Sequence, residues 1–248
     1  MFHFFVEQNQ INIEAKTALV TGTDVNHMKN VLRMKVGEDV AISNGVDGKT
    51  YYCKIAALDA ESITLSIEDI VEGDAELPSQ VYIFQGLPKA DKMELIIQKN
   101  VELGVHTIVP VSTKRCVVKL DDKKAKSKIQ RWQQIAEAAA KQSKRAVIPT
   151  ITDVMSFKEA LAYVKDFDVK VIPYEHAEGM AKTKEILQQI KPGQKIAIFI
   201  GPEGGFEESE VDIALAAGVE PITLGKRILR TETAGFTMMS WIMYQLEE

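Results

Sequence analysis

After residue 80 the hydrophobic period of the chain changes, and that change restricts the fold more than any other feature. Short apolar runs (VYIFQG, HTIVPV, VKVIPY, KIAIFIG, EPITLG) alternate with amphipathic ones (KMELIIQKNVELG, KIQRWQQIAEAAAKQSKR, SFKEALAYVKDF, KEILQQIK, ESEVDIALAAG). Strand-helix alternation of this length requires a mostly parallel sheet covered by helices, because each parallel pair needs a crossover. Ser156 and Glu159 form a capping-box pattern that sets where one of the helices begins. The final run, AGFTMMSWIMYQL, is apolar on nearly every face and is read as a buried helix or a subunit interface.

The first part of the chain has a different period. FHFFVE, EDVAISN, TYYCKIAAL and SITLSIEDI are short alternating runs separated by turn signals at Asn44-Gly45 and Asp47-Gly48, the pattern of a small β-barrel or sandwich. One helix is expected within it over DVNHMKNVLRM, with Asp24 as N-cap and Val25, Met28, Val31 and Leu32 at helical spacing. VEGDAELPSQ is acidic, contains Gly and Pro and has no period. The expected organisation is a β-rich domain over 1–72, a linker over 73–79 and an α/β domain over 80–248.

No apolar run approaches the ~20 residues of a membrane helix, and MFHFFVEQNQ lacks the basic flank of a signal peptide, so a cytoplasmic protein with no membrane partner is expected. Cys53 and Cys116, like His3, His27, His106 and His176, have no partners at metal-ligand spacing, and no metal is expected. The net charge of −5 is uneven: Lys114 to Arg145 carries +8, leaving −13 for the rest. Such asymmetry suits steering a phosphate backbone to one face, and equally suits a solvated helix face.

Three strand ends carry unusual loops: IPYEHAEG after Pro173, GPEGGFEES after Ile200, and LGKRILRTETA after Thr223. In parallel sheets ligands sit beyond the carboxyl ends of the strands, so three such loops can enclose one cofactor. The Gly-Pro-Glu-Gly-Gly corner has neither the lysine of a P-loop nor the spacing of a dinucleotide fingerprint. Gly204 and Gly205 suggest close backbone approach, and the Glu203 carboxylate suits a ligand with positive charge, as S-adenosylmethionine has. The alternative is a turn whose glycines only permit positive φ. In the third loop, Thr231 or Thr233 can cap the last helix and Glu232 is a favourable first-turn acid, which leaves Arg230 without a structural task.

ELGVHTIVPV, RWQQIAEAAAKQSKR, IGPEGGF and LGKRILRTETA, in this order after a β-rich domain, resemble the ribosomal RNA small subunit methyltransferase E family of the SPOUT superfamily. The resemblance covers nearly the whole chain. It implies a C-terminal SPOUT α/β domain with a deep trefoil knot, in place of the open doubly wound sheet that alternation alone suggests, preceded by a PUA-like RNA-binding β-barrel, in a homodimer. It implies methyl transfer from S-adenosylmethionine to N3 of one uridine near the 3′ end of 16S rRNA in the assembled small ribosomal subunit. Carried onto this chain, the cofactor pocket would be lined by Tyr174 and Glu175, by Ile200, Gly201, Pro202, Glu203, Gly204 and Gly205, by Leu224, Gly225, Ile228, Leu229 and Arg230, and by Thr233 and Ala234.

Uracil N3 is protonated at neutral pH, so its methylation requires loss of that proton and stabilisation of charge on O2 and O4. Arginine does not usually act as a base, which assigns Arg230 to charge stabilisation or substrate orientation. Glu232 is the nearest acid/base candidate, helix capping being its other reading. The phosphate contacts expected are Arg33 and Lys35 with Lys29 in the first domain, and Arg115, Arg131, Lys141, Gln142 and Arg145. Lys141 and Arg145 share a helix face with Arg131 about four turns back. A Glu137 to Lys141 pair on a solvated face is the alternative for Lys141.

Two positions depart from the family pattern. His3 precedes Phe4-Phe5 where an arginine is usual, and Lys114-Arg115-Cys116 replaces Glu-Arg-Ser. The rival functions are a SPOUT methyltransferase acting on transfer RNA or 23S rRNA, and a non-catalytic RNA-binding assembly factor.

Overall fold

The computed structural model describes residues 1–175, 177 and 179–247. His176 and Glu178, in the first of the three loops, lie outside them. The chain forms two compact units, Met1–Glu76 with Ala140–Ile148, and Leu77–Ala139 with Pro149–Glu248.

The first unit contains β1 (Phe2–Phe5), β2 (Ile11–Asn12), β3 (Thr17–Thr21), α1 (Thr23–Asn26), β4 (Asp39–Ser43), β5 (Lys49–Leu58) and β6 (Ser62–Glu72). They make one sheet in the order β1-β4-β5-β6-β3-β2, with only β1 and β4 parallel. Alternation along β5 and β6 sends Tyr51, Cys53, Ile55, Ile63, Leu65 and Ile67 to one face, where they pack with Val40, Ile42 and Met28. The helix expected over residues 24–34 is a single α turn that continues as a π-helical turn over His27–Val31, closed by Leu32 N–H to His27 O at 2.9 Å. Gly22, not Asp24, is its N-cap, and Arg33 at φ 56° ends it.

The expected linker is divided between the units. Gly73 N–H donates to Gly48 O at 2.7 Å in the first, and Ser79 Oγ donates to Lys191 O at 3.0 Å in the second. Glu76 accepts from the buried Arg145 in the first unit, which explains why residues after 139 return to it.

The second unit comprises β7 (Gln80–Gly86), α2 (Lys92–Glu102), β8 (Thr107–Ser112), most of α3 (Asp122–Gln142), β9 (Thr150–Ile151), β10 (Met155–Ser156), α4 (Phe157–Tyr163), β11 (Val169–Pro173), α5 (Met180–Gln188), β12 (Lys195–Ile200), α6 (Glu208–Ala216), β13 (Glu220–Ile222) and α7 (Thr231–Leu246). Its sheet is wholly parallel, in the order β10-β8-β7-β12-β11-β13, with β9 also on β8. The central strands are buried on both faces, as a parallel sheet requires, and Phe84 stacks on Phe199 at 4.7 Å. Because β12, β11 and β13 are neighbours, the loops after Pro173, Ile200 and Ile222 leave the same end of the sheet side by side. Past the third loop, Thr231 Oγ1 donates to Gly201 O at 2.6 Å, so the start of α7 is brought back onto the end of β12.

Candidate functional site

The three loops enclose one cleft of about 810 Å³, within the size range of small-molecule sites. It is lined by Tyr174 and Glu175 from the first loop, by Ile200, Gly201, Pro202, Glu203, Gly204 and Gly205 from the second, and by Leu224, Gly225, Ile228, Leu229 and Arg230 from the third, with Ala234 of α7. Thr233 is not among the lining residues. It is exposed, because Thr231 and Ala234 face the cleft and a residue two positions after Thr231 is turned about 200° around a helix of 3.6 residues per turn.

The glycine corner is shaped by crowding. A Cβ on Gly86 would stand 2.6 Å from Pro202 Cδ, and one on Gly201 would stand 3.0 Å from the Gly205 backbone. Gly205 has φ 67°, and its N–H donates to Pro202 O at 2.9 Å, closing the turn. The loop therefore presents main chain to the cleft. Such a cradle fits a nucleoside-sized ligand recognised through backbone groups, with Leu224, Leu229 and Ile228 as apolar neighbours; Ile228 is 87 % exposed.

Glu203 lines the cleft within a small charge cluster. Its carboxylate accepts from Lys89 N–H at 3.1 Å and meets Lys92 Nζ at 3.1 Å. Burial works against its charged form, but its own and the Lys89 backbone N–H groups, together with Lys92, hold it below the usual carboxylate range. Lys92 Nζ also lies 3.5 Å from Glu232 Oε2. The Glu203 hydrogen bond, opposed by burial and aided by Glu232, holds the Lys92 ammonium above its ordinary range. Lys92 is shared between Glu203 and Glu232, so the three side chains together keep one negative charge, and Glu203 lines the cleft along with the exposed carboxylates of Glu175 and Glu208. Glu232 is not itself a lining residue, and its carboxylate lies 3.5 Å from the Nζ of Lys92, which is one.

Lys92 and Glu208 are cleft residues that the sequence reading did not name. Glu208 was within reach of it, as the first helical residue after the glycine corner. Arg115, expected on the phosphate side, also lines the cleft, and its guanidinium donates to Gly204 O at 3.0 Å. Among the described residues no cluster of side chains suits a metal ion, and no helix is long and apolar enough to cross a membrane.

An RNA methyltransferase domain family model matches residues 75–243, and an RNA methyltransferase PUA domain model matches residues 20–68. The chain is 40% identical over its full length to 98% of the ribosomal RNA small subunit methyltransferase E of Bacillus subtilis. The chain belongs to the ribosomal RNA small subunit methyltransferase E family. The Mesomycoplasma hyopneumoniae member is 34% identical, with 97% of this chain and 98% of that protein covered. The Neisseria gonorrhoeae member, solved bound to S-adenosylmethionine, superposes with a TM-score of 0.81 at 30% identity, covering 97% of this chain and 95% of that one. The second unit is accordingly a SPOUT trefoil-knot α/β domain and the first a PUA-like domain, as the motif resemblance implied.

The expected phosphate contacts are placed unevenly on this chain. Arg33, Lys35 and Gln142 are exposed, and Arg131 is exposed while paired to Glu94 through Nε at 2.7 Å. Lys141 pairs with Asp24 at 3.2 Å, which is where the expected N-cap carboxylate goes. Arg145 is 2 % exposed and does not share a helix face with Lys141, because α3 ends at Gln142 and Lys144 takes φ 60°. Its guanidinium is bound to Glu76, so it faces inward as a structural cation.

His3 stands where the family usually has arginine. Its Nε2 lies 2.9 Å from the buried Ser43 Oγ, and its pKa is pushed down to about 4, first by burial and then by Lys141. A histidine whose folded pKa lies below the unfolded value of about 6.5 contributes stability that is fully present above pH ~6.5 and is lost as pH falls toward 4. The unfolding midpoint in urea, compared between the protein and its His3→Gln variant from pH 4.5 to 7.5, should show a steeper acid loss for the parent. Equal slopes would remove the assignment.

Proposed function

We propose that the protein is an S-adenosylmethionine-dependent methyltransferase acting on N3 of a uridine in 16S rRNA, on the assembled small ribosomal subunit in the cytoplasm. The observation that carries this reading is the single cleft at the carboxyl end of β11, β12 and β13, with a glycine main-chain cradle on one wall and Arg230 on another. S-adenosylmethionine, when bound there, supplies an activated methyl group. The Pro202 to Gly205 turn would hold it by main chain, and Leu224 and Leu229 would shield its base from water.

Arg230 is the N-cap of α7, so its backbone is held by a rigid element while its guanidinium stands exposed at the cleft. A guanidinium there can pair with the charge that spreads over O2 and O4 once N3 loses its proton, and it does so without changing protonation state. The target base must leave its stack to expose N3, which favours a single-stranded or splayed-out uridine. The outer side of α7 leaves Tyr244 85 % exposed beside the half-buried Trp241, which supports the homodimer expected of the family.

The test is nucleoside mass spectrometry of rRNA after incubating unmethylated small subunits with the protein and isotopically labelled S-adenosylmethionine. Labelled 3-methyluridine at one site is the expected result. Label in transfer RNA or 23S rRNA only would move the substrate, and cofactor binding with no labelled nucleoside in any RNA would leave an assembly factor. A single-chain mass by light scattering in the same preparation would overturn the dimer.

A further inference from the structure

Gln85 is a polar side chain where the sheet calls for an apolar one. It lies near the end of β7, fully buried, directly after Phe84 and close to Ile83 and Val81, all of them also fully buried. Burying an amide in such surroundings costs stability unless its hydrogen-bonding groups are satisfied. Gln85 satisfies only half of them. Its Nε2 donates to Gly86 O at 3.0 Å and to Thr231 Oγ1 at 2.9 Å, while among the described residues no protein group donates to its Oε1. The orientation of the amide follows from its neighbours, because flipping it would set Oε1 against the Gly86 carbonyl, acceptor to acceptor.

The two donated bonds have a directional consequence. Thr231 Oγ1 receives an N–H from Gln85, so its own hydroxyl hydrogen is sent onward, and it reaches Gly201 O at 2.6 Å. The Gly201 carbonyl is the only hydrogen-bonding group on its peptide, since the next residue is Pro202 and has no N–H. Holding that oxygen sets the plane of the peptide from which the Pro202 to Gly205 turn departs. The relay ties the end of β7, the end of β12 and the first residue of α7, and Gly201 and Thr231 both line the cleft.

We infer that Gln85 is a positioning residue that orients the Gly201 carbonyl through Thr231 and so presets the glycine corner for its ligand. The inference rests on the reading of that corner as the S-adenosylmethionine cradle. Gln85 itself does not line the cleft, which is why its contribution passes through Thr231.

The test compares the full-length protein with Gln85→Leu, Thr231→Val and the double variant. Leucine suits the apolar surroundings and removes the unpaired acceptor, so the melting temperature of Gln85→Leu should stay within about 3 °C of the parent. S-adenosylmethionine affinity measured by calorimetry should nevertheless fall about tenfold, the worth of one well-placed hydrogen bond. Amide hydrogen exchange over Glu203 to Phe206, measured without ligand, should quicken about tenfold as well. Thr231→Val should show the same two losses, and the double variant should be no worse than the poorer single one. Unchanged affinity with unchanged exchange would overturn the inference. So would an affinity loss that merely tracks a large fall in melting temperature. If the parent itself fails to bind S-adenosylmethionine the cofactor reading falls, and the ligand-free exchange rates still decide whether Gln85 orders the corner.

Discussion

Arg230→Ala is expected to slow single-turnover methyl transfer about 100-fold, the usual consequence of removing one preorganised donor from a developing anion. The expectation rests on position. Arg230 precedes the first turn of α7, its carbonyl accepts from Ala234 N–H at 2.9 Å, and among the described residues its guanidinium has no partner within the protein. A charged side chain with no partner among the described residues, on a fixed backbone at the cleft, is available to substrate at little reorganisation cost. Rapid-quench measurement of labelled methyl transfer, paired with calorimetry of S-adenosylmethionine binding, separates the two tasks open to it. A loss in rate with affinity changed less than about tenfold assigns Arg230 to the transition state. Equal losses in both would make it a cofactor contact only, and an unchanged rate would end its catalytic assignment. Arg230→Lys should recover only part of the rate, since a point charge cannot reproduce the planar fork toward a carbonyl oxygen.

What was readable in the sequence was what local chemistry determines. The parallel strands follow from their period, and Ser156 and Glu159 form the expected capping box, with Glu159 N–H to Ser156 Oγ at 3.3 Å and Ser156 N–H to Glu159 Oε2 at 2.8 Å. The three loops are legible as one cleft because strand ends in a parallel sheet point the same way. Partners far apart in sequence are not legible by this route. Glu203 reads as a lone counter-charge for a ligand, whereas Lys92, on α2, also pairs with it. Gln85 reads as one more residue in an apolar strand, since its partner Thr231 is nearly the length of the domain away. Asp24 looks like an N-cap by spacing alone, whereas its carboxylate goes to Lys141. At Asp24 the tertiary ion pair outweighed a local capping preference worth about 1 kcal/mol.

The same competition decides the second large effect, at Arg145. Arg145→Met is expected to destabilise the first unit by about 3 kcal/mol, because it removes one member of a largely buried ion pair and strands the other. The guanidinium reaches Glu76 with both Nε, at 3.2 Å, and a terminal nitrogen, and Glu76 Oε1 also accepts from Val147 N–H at 3.2 Å. One carboxylate thus gathers the whole turn after α3, while Ile148 N–H to Gly45 O at 3.0 Å pins its far end. Crowding reinforces the docking, since a Cβ on Gly73 would come within 2.8 Å of Ala146 Cβ. Urea unfolding followed by exchange of the 140–148 amides measures the loss. A double Arg145→Met, Glu76→Met variant should be more stable than Arg145→Met alone, because an apolar pair leaves no charge stranded. RNA binding separates this reading from the phosphate contact that the basic run suggests. A phosphate-bound arginine contributes about one unit to the slope of log affinity against log salt, so the Arg145→Met slope should equal that of the parent, whereas Arg33→Met should lower it. A lower slope for Arg145→Met with unchanged stability would return Arg145 to the RNA surface.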